Sequence, residues 1–252
     1  ALHKRILIGG GVLAAVAVFV SRQQFCAAEF PDLGIGRAIA RSADGIVDSI
    51  VSTISPVTEG IKNVITYGLL NPMQAFIAES PWWLAALGIS AIGFVIGGLR
   101  GLIPTVVCLA GIWYFGLWHS AMITLVMTLV ATLLCMVLAV VIGVSMARRK
   151  SVDTLVRPLL DAGQTIPAFV YLIPCLALFG PTRFTGIVAS IAYAAPVAIK
   201  LVADGVRGVS PTTMEAVQST GASTMQQMRK VQLPMAKASL VLATNQGLLF
   251  VL

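Results

Sequence analysis

Acidic side chains are scarce in this chain, and the places where they are missing exclude whole classes of function. Ten Asp and Glu stand against seventeen Lys and Arg in 252 residues, and charged residues make up only 11% of the total. None of the acids falls inside an apolar run, whereas carriers coupled to protons or ions keep ionisable groups at membrane depth, where the coupling ion binds. No G-x-x-x-x-G-K-[ST] phosphate loop occurs, so the chain carries no nucleotide-hydrolysing site of its own. With two histidines, no acidic pair at depth and no nucleophile motif, an intramembrane enzyme lacks its catalytic constellation. The four cysteines share no metal or redox spacing, and Cys108, Cys135 and Cys175 lie in apolar stretches where a thiol behaves as a small hydrophobe. The net charge of +7 is not a nucleic-acid signal, because the basic residues flank apolar runs and form no stripe with interleaved aromatics.

What is abundant is apolar surface: 58% of residues are hydrophobic, a composition that belongs in a bilayer. Runs long enough to cross, or nearly cross, a membrane lie over 6–20, 82–99, 102–118, 121–147, 165–180, 184–203 and 238–252. The first could be a signal peptide after Lys4 and Arg5, but no small-residue cleavage site follows, so it reads as an uncleaved span. The last run reaches Leu252, and the polypeptide is expected to continue beyond it. Placing the N-terminus in the cytoplasm puts twelve Lys and Arg on the inner side and five (Arg22, Arg37, Arg41, Lys62, Arg183) on the outer side. That bias is the one expected of a multi-pass inner-membrane protein. Lys200, the one cation near a span interior, lies close enough to the cytoplasmic end to snorkel.

The outer connection, 21–81, repeats apolar residues at helical spacing from Ile46 to Ile65. Ser55-Pro56 offers a cap and a first-turn proline, which predicts two amphipathic helices with a break between them. Their mixed-sign polar face (Asp44, Asp48, Glu59, Lys62) suits a packing scaffold or a docking surface for an external partner. Trp82, Trp83, Trp113 and Trp118 lie near span ends, as an aromatic belt requires. The chain therefore divides into an N-terminal anchor and external scaffold, 1–80, and a transmembrane part, 81–252.

Pro167, Pro174 and Pro196 each remove a backbone donor within an apolar run, which a membrane tolerates where neighbouring protein or a water-filled path satisfies the freed carbonyl. They are packing kinks, or they mark a passage lined by Gln164, Thr165, Pro167, Phe169, Tyr171 and Tyr193.

One polar interruption stands out, "EAVQSTGASTMQQMRKVQLP", residues 215–234. Thr212 and Glu215 fit a capping box, Gly221 suits a left-handed helix end, Ser223 and Gln226 fit a second box, and Pro234 is expected to end the second helix. Each cap contributes only about 1 kcal/mol, too little for two isolated short helices in water. They need a partner surface, and Met214, Met225 and Met228 offer adaptable apolar contact. A chain without an energy source of its own would take its drive through such a surface.

Glu215-Ala216, Gly221, nine residues, then Val231-Gln232-Leu233-Pro234 resembles the EAA loop of ABC importer permeases, E-A-A-x-x-x-G, nine residues, [IV]-x-L-P, with Val217 in place of the third-position alanine. "TLVATLLCMVLAVVIGVSMARR", "LLDAGQTIPAFVYLIPCLALFG" and "GASTMQQMRKVQLPMA" are similar to the glycine betaine/choline subfamily, with Gly163 where methionine is usual. The resemblance covers about 118–252. It implies an all-α, polytopic transmembrane helical bundle, the core of a type I ABC importer permease, with amphipathic outer-interface helices. It also implies cytoplasmic ATPase subunits that hold ATP and Mg, an external solute-binding protein, a second permease copy as a homodimer, and no cofactor on this chain. The coupling loop would comprise Glu215, Ala216, Gly221, Ala222, Met225, Met228, Val231, Leu233 and Pro234. The expected cargo is glycine betaine, choline or a related quaternary ammonium compatible solute. A different small organic solute and a non-transport membrane scaffold are the alternatives.

Overall fold

The computed structural model describes residues 10, 11, 13, 14, 16–20 and 35–252, with backbone alone at 35–44, 46–48 and 50. Lys4, Arg5, Arg22 and Cys26 lie outside the described residues, as do most of the first run and the side chains of Asp44, Asp48, Ile46 and Ile50. The chain forms two compact units, 1–52 and 53–252. In the first, the described residues between 10 and 20 are helical, with Leu13, Val18 and Phe19 exposed.

No strand occurs among the described residues. Helix α1 spans Ile35–Ile65 and leads through a π-helical turn, Thr66–Leu70, into α2, Asn71–Ile77. Pro56 lies inside α1, so the expected break at Ser55-Pro56 is absent. A proline removes one donor and bends a helix, but it ends one only where nothing holds the next turn; here helical bonding resumes and Thr58 Oγ1 donates to the Ser55 carbonyl at 3.1 Å.

Helix α3, Trp82–Tyr114, is interrupted at Gly98, whose φ of 58° and ψ of −145° suit glycine alone. Its two arms fold back on each other: a Cβ on Gly93 would lie 2.6 Å from Thr105 Oγ1, and one on Gly101 would overlap the Gly93 carbonyl. Helix α4 is Trp118–Arg148, α5 Lys150–Thr165, α6 Ala168–Phe179 and α7 Arg183–Arg207. Trp82, Trp113 and Trp118 gather around one apolar cavity of about 270 Å³.

By length and composition α4, α7 and the whole of the kinked α3 are apolar enough to cross a membrane, with α3 doubling back at Gly98, and α5 with α6, bent by 104°, forms a broken fourth candidate. The bend falls at Ile166-Pro167. Pro174 and Pro196 stay within continuous helices, and Pro196 is buried. After the 208–236 segment, α11, Lys237–Val251, returns alongside α4 and α7.

The core of the second unit is the packing of α4, α7 and α11. Val126, Val130, Cys135, Ala139 and Met146 of α4 meet Ile187, Ala194, Ala198, Val202 and Val206 of α7, with Ala243 from α11. Small side chains dominate because lipid gives no hydrophobic drive to helix association, so close backbone approach and dispersion must supply it. Gly205 shows how close: a Cβ there would overlap the Ser239 side chain of α11.

Candidate functional site

The polar segment after α7 is a helical hairpin. Helix α8, Pro211–Ser219, starts on Ser210, whose ψ of 131° is set for a helix entry followed by proline. The Ser210 hydroxyl meets the Thr212 hydroxyl at 2.6 Å and caps no backbone donor. The Thr212–Glu215 capping box therefore does not form. With Pro211 at the first position, Thr212 is already inside the first turn, where its side chain cannot serve as an N-cap. Glu215 and Ala216 are exposed.

Gly221 follows α8 with φ 71°, and its N–H donates to the Gln218 carbonyl at 3.0 Å. A Cβ there would meet nothing within 4 Å, so the backbone angle, not space, selects glycine. The second box is complete: Gln226 N donates to Ser223 Oγ at 3.3 Å, and Ser223 N donates to Gln226 Oε1 at 2.8 Å. It opens α9, Thr224–Gln227, which widens into a π-helical turn, Met228–Gln232, before α10, Leu233–Met235.

Pro234 therefore does not end the helix. Its ring would clash with a carbonyl one α-turn back, and the π turn, in which Leu233 N–H donates to Met228 O, accommodates it. Met225 is exposed, whereas Met228 is 3% exposed and joins the chain's own core with Ala236. Met228 anchors the hairpin from beneath. Ala222, Val231 and Leu233 are half-buried, and Pro234 is exposed.

Charged side chains tie α5 to α7 just before this hairpin. Arg207, at the end of α7, pairs with Asp153 of α5 at 3.0 Å and donates to the Met146 carbonyl at 3.1 Å. Arg157 of α5 bridges Asp153 at 3.2 Å and Asp204 of α7 at 2.7 Å. The Arg207 hydrogen bond holds the Asp153 carboxyl below the usual carboxylate range; burial opposes this and Arg157 adds to it. Further along α7, Lys200 Nζ lies 2.6 Å from Asp161 Oδ1 and also donates to Gln164 Oε1. Lys200 does not snorkel alone: α5 bends back to bring it a carboxylate. The hydrophobicity pattern did not reveal this partner, because Asp161 lies outside every apolar run; its signal was the 153, 157, 161 charge spacing of α5 facing 200, 204 and 207.

The six residues expected along a passage separate into groups. Phe169 and Tyr193 line a cavity of about 490 Å³ with Leu172, Ser190 and Phe250. Tyr171 packs on Tyr193 with ring centres 6.3 Å apart, and Tyr193 meets Phe250 edge to face at 5.4 Å. The Tyr171 hydroxyl donates to the Gly163 carbonyl at 2.5 Å, tying α6 to α5 across the bend. Gln164 turns to Lys200, Thr165 Oγ1 to the Ala162 carbonyl at 2.7 Å, and Pro167 begins α6. Phe250 was the unforeseen wall, and only its being the one aromatic residue of the 238–252 run marks it. No cluster suited to a metal ion occurs among the described residues.

Residues 136–250 match the family described as the binding-protein-dependent transport system inner membrane component. The glycine betaine/carnitine transport permease protein GbuB of Listeria monocytogenes is 36% identical over 213 residues, 82% of this chain and 75% of the relative. The chain belongs to this permease family. The glycine betaine/proline betaine transport system permease protein ProW of Escherichia coli is 37% identical over 206 residues, and the glycine betaine transport system permease protein OpuAB of Bacillus subtilis is 31% identical over 212. These matches cover 82% and 83% of the chain, but 58% and 68% of the two relatives, so the permease chain spans little more than half the length of the Escherichia coli protein. Members of this family are transport subunits and not themselves enzymes.

Proposed function

We propose that this chain is the transmembrane permease subunit of an ATP-driven importer for glycine betaine or a related quaternary ammonium compatible solute. It works as one of two permease copies in the inner membrane, with its N-terminus in the cytoplasm. ATP and Mg bind to a separate cytoplasmic ATPase, and an external binding protein delivers the solute. The observation that carries this reading is the 211–235 hairpin: a left-handed glycine, a complete capping box and a buried methionine root make it rigid, while Glu215, Ala216, Met225 and Pro234 face outward. A rigid, exposed elbow on a bundle whose described core cluster holds no acidic or basic side chain suits a lever moved by another subunit. The relatives named for glycine betaine support the cargo.

A second reading, another small organic solute, draws on the cavity beside Phe169 and Tyr193. No charged side chain lines it, so it offers aromatic faces to a cation but nothing that demands one, and selection falls to the external protein. Reconstitution of the permease with its ATPase and binding protein in proteoliposomes tests both. ATP-dependent accumulation of labelled glycine betaine is expected; uptake of another solute in its place supports the second reading, and no ATP-dependent uptake of any solute defeats both.

A further inference from the structure

Helix α7 ends at the charge cluster beside the hairpin, and its 25 residues carry its other end about 37 Å away, on the opposite side of a bilayer. There a cavity of about 430 Å³ opens between the end of α1 with the π turn after it, and the turn into α7. It is lined by Lys62, Asn63, Thr66 and Tyr67 on one side and by Thr182 and Arg183 on the other. Lys62 and Arg183 are two of the five basic residues assigned to the outer side, where positive charge is sparse.

Among the described residues neither cation takes part in an ion pair. Arg183 stands in the first turn of α7, where the helix dipole already presents positive charge, and is therefore placed against its local electrostatics. The turn that carries it is rigid: Thr182 and Thr185 cap each other reciprocally, and the Thr185 hydroxyl also donates to the Gly180 carbonyl. Two uncompensated cations and a helix N-terminus facing one polar cavity call for an anion.

We propose that this cavity is the docking socket for an acidic side chain of the external solute-binding protein, with Lys62 and Arg183 as its two positive contacts. The proposal rests on the importer reading, which supplies a protein partner on this face. A lipid phosphate is the competing anion, but its acyl chains would need an apolar wall beside the headgroup. Of the apolar groups lining the cavity, Leu70 and Phe184 are 1% and 2% exposed, which leaves the Pro181 and Tyr67 rings at its rim, too little to cover two acyl chains. A carboxylate on a protein surface needs no such wall.

The test uses the assembled transporter in nanodiscs, with ATP hydrolysis titrated against its solute-loaded binding protein. The double charge reversal Lys62→Glu with Arg183→Glu is expected to raise the half-saturating concentration of binding protein about five- to tenfold, with excess binding protein restoring the plateau. The neutral pair Lys62→Gln with Arg183→Gln should give a smaller rise, and the charge-conserving pair Lys62→Arg with Arg183→Lys should follow the unaltered protein. The same shifts are expected in phosphatidylcholine and in phosphatidylglycerol nanodiscs. An unchanged half-saturating concentration, or a shift confined to phosphatidylglycerol, overturns the socket. If the unaltered transporter shows no stimulation by a binding protein, the importer reading itself has failed, a distinguishable result.

Discussion

Arg207 closes the end of α7 onto Asp153 of α5 at 3.0 Å, and in doing so joins the last turn before the hairpin to the helix that follows α4. The same guanidinium donates to the Met146 carbonyl, so one side chain ties three helices together at the base of the exposed elbow. A displacement of that last turn would therefore be shared by α4, α5 and α7.

Asp153→Asn should loosen that tie. The carboxyl is held below its ordinary range in the fold, so its stabilisation is full above the ordinary value and is lost as pH falls through the depressed one. The purified variant should melt a few degrees below the unaltered protein at pH 7, consistent with a solvent-screened network contributing about 1 kcal/mol. The gap should narrow under strongly acidic conditions, where Asp153 is protonated in both states. Thermal unfolding followed from pH 7 downward checks the sign, and a gap that widens in acid contradicts it.

Gly221→Val places a β-branched residue at φ 71°, which costs about 1–2 kcal/mol of backbone strain and should unseat the hairpin. Gly221→Asn should be tolerated, since asparagine visits this region and a side chain there meets empty space. Co-purification of the ATPase and solute-stimulated hydrolysis are the measurements. Normal values for the valine variant refute the coupling role.

Gly205→Ala would drive a methyl group into Ser239 and should lower stability by about 1–3 kcal/mol. Adding Ser239→Gly should restore most of that loss. A melting series over the two single variants and the double variant decides the point, and absence of rescue would locate the strain elsewhere.

Phe169 is 85% exposed while facing the cavity it shares with Tyr193, so Phe169→Ala should reduce uptake with little change in expression. Tyr171→Phe removes only the hydroxyl bridge to Gly163 and should affect the bend more than the cavity wall. Uptake normalised to membrane-inserted protein separates the two, and equal loss of uptake and expression for Phe169→Ala would indicate packing.

The sequence was most informative where a local rule has one strong solution. The left-handed Gly221 and the reciprocal Ser223–Gln226 box both follow from hydrogen-bond groups within four residues of each other, so no distant contact could override them. The Thr212–Glu215 box failed because Ser210-Pro211 offered a competing start two residues earlier, and spacing alone does not rank two starts. Pro56 was read as opening a new helix and Pro234 as ending one, because the pattern records the lost donor but not the neighbouring turns that absorb it. The pairing of Lys200 with Asp161 and the inward turn of Met228 depend on how separate helices meet, which no local window contains. Apolar runs located the broad helices, yet the break at Ile166-Pro167 became a 104° bend only in three dimensions.

That bend has a mechanical corollary. Beyond it α6 has twelve residues, about 18 Å of helix, against roughly 30 Å of hydrocarbon. The helix before it, α5, leaves at 104° and so runs near the bilayer plane, adding almost no depth and laying its charged, amphipathic face across the end of α6. A vestibule open to the cell interior would thus reach partway into the membrane, leaving a septum little more than half the bilayer thick for cargo to cross in each cycle.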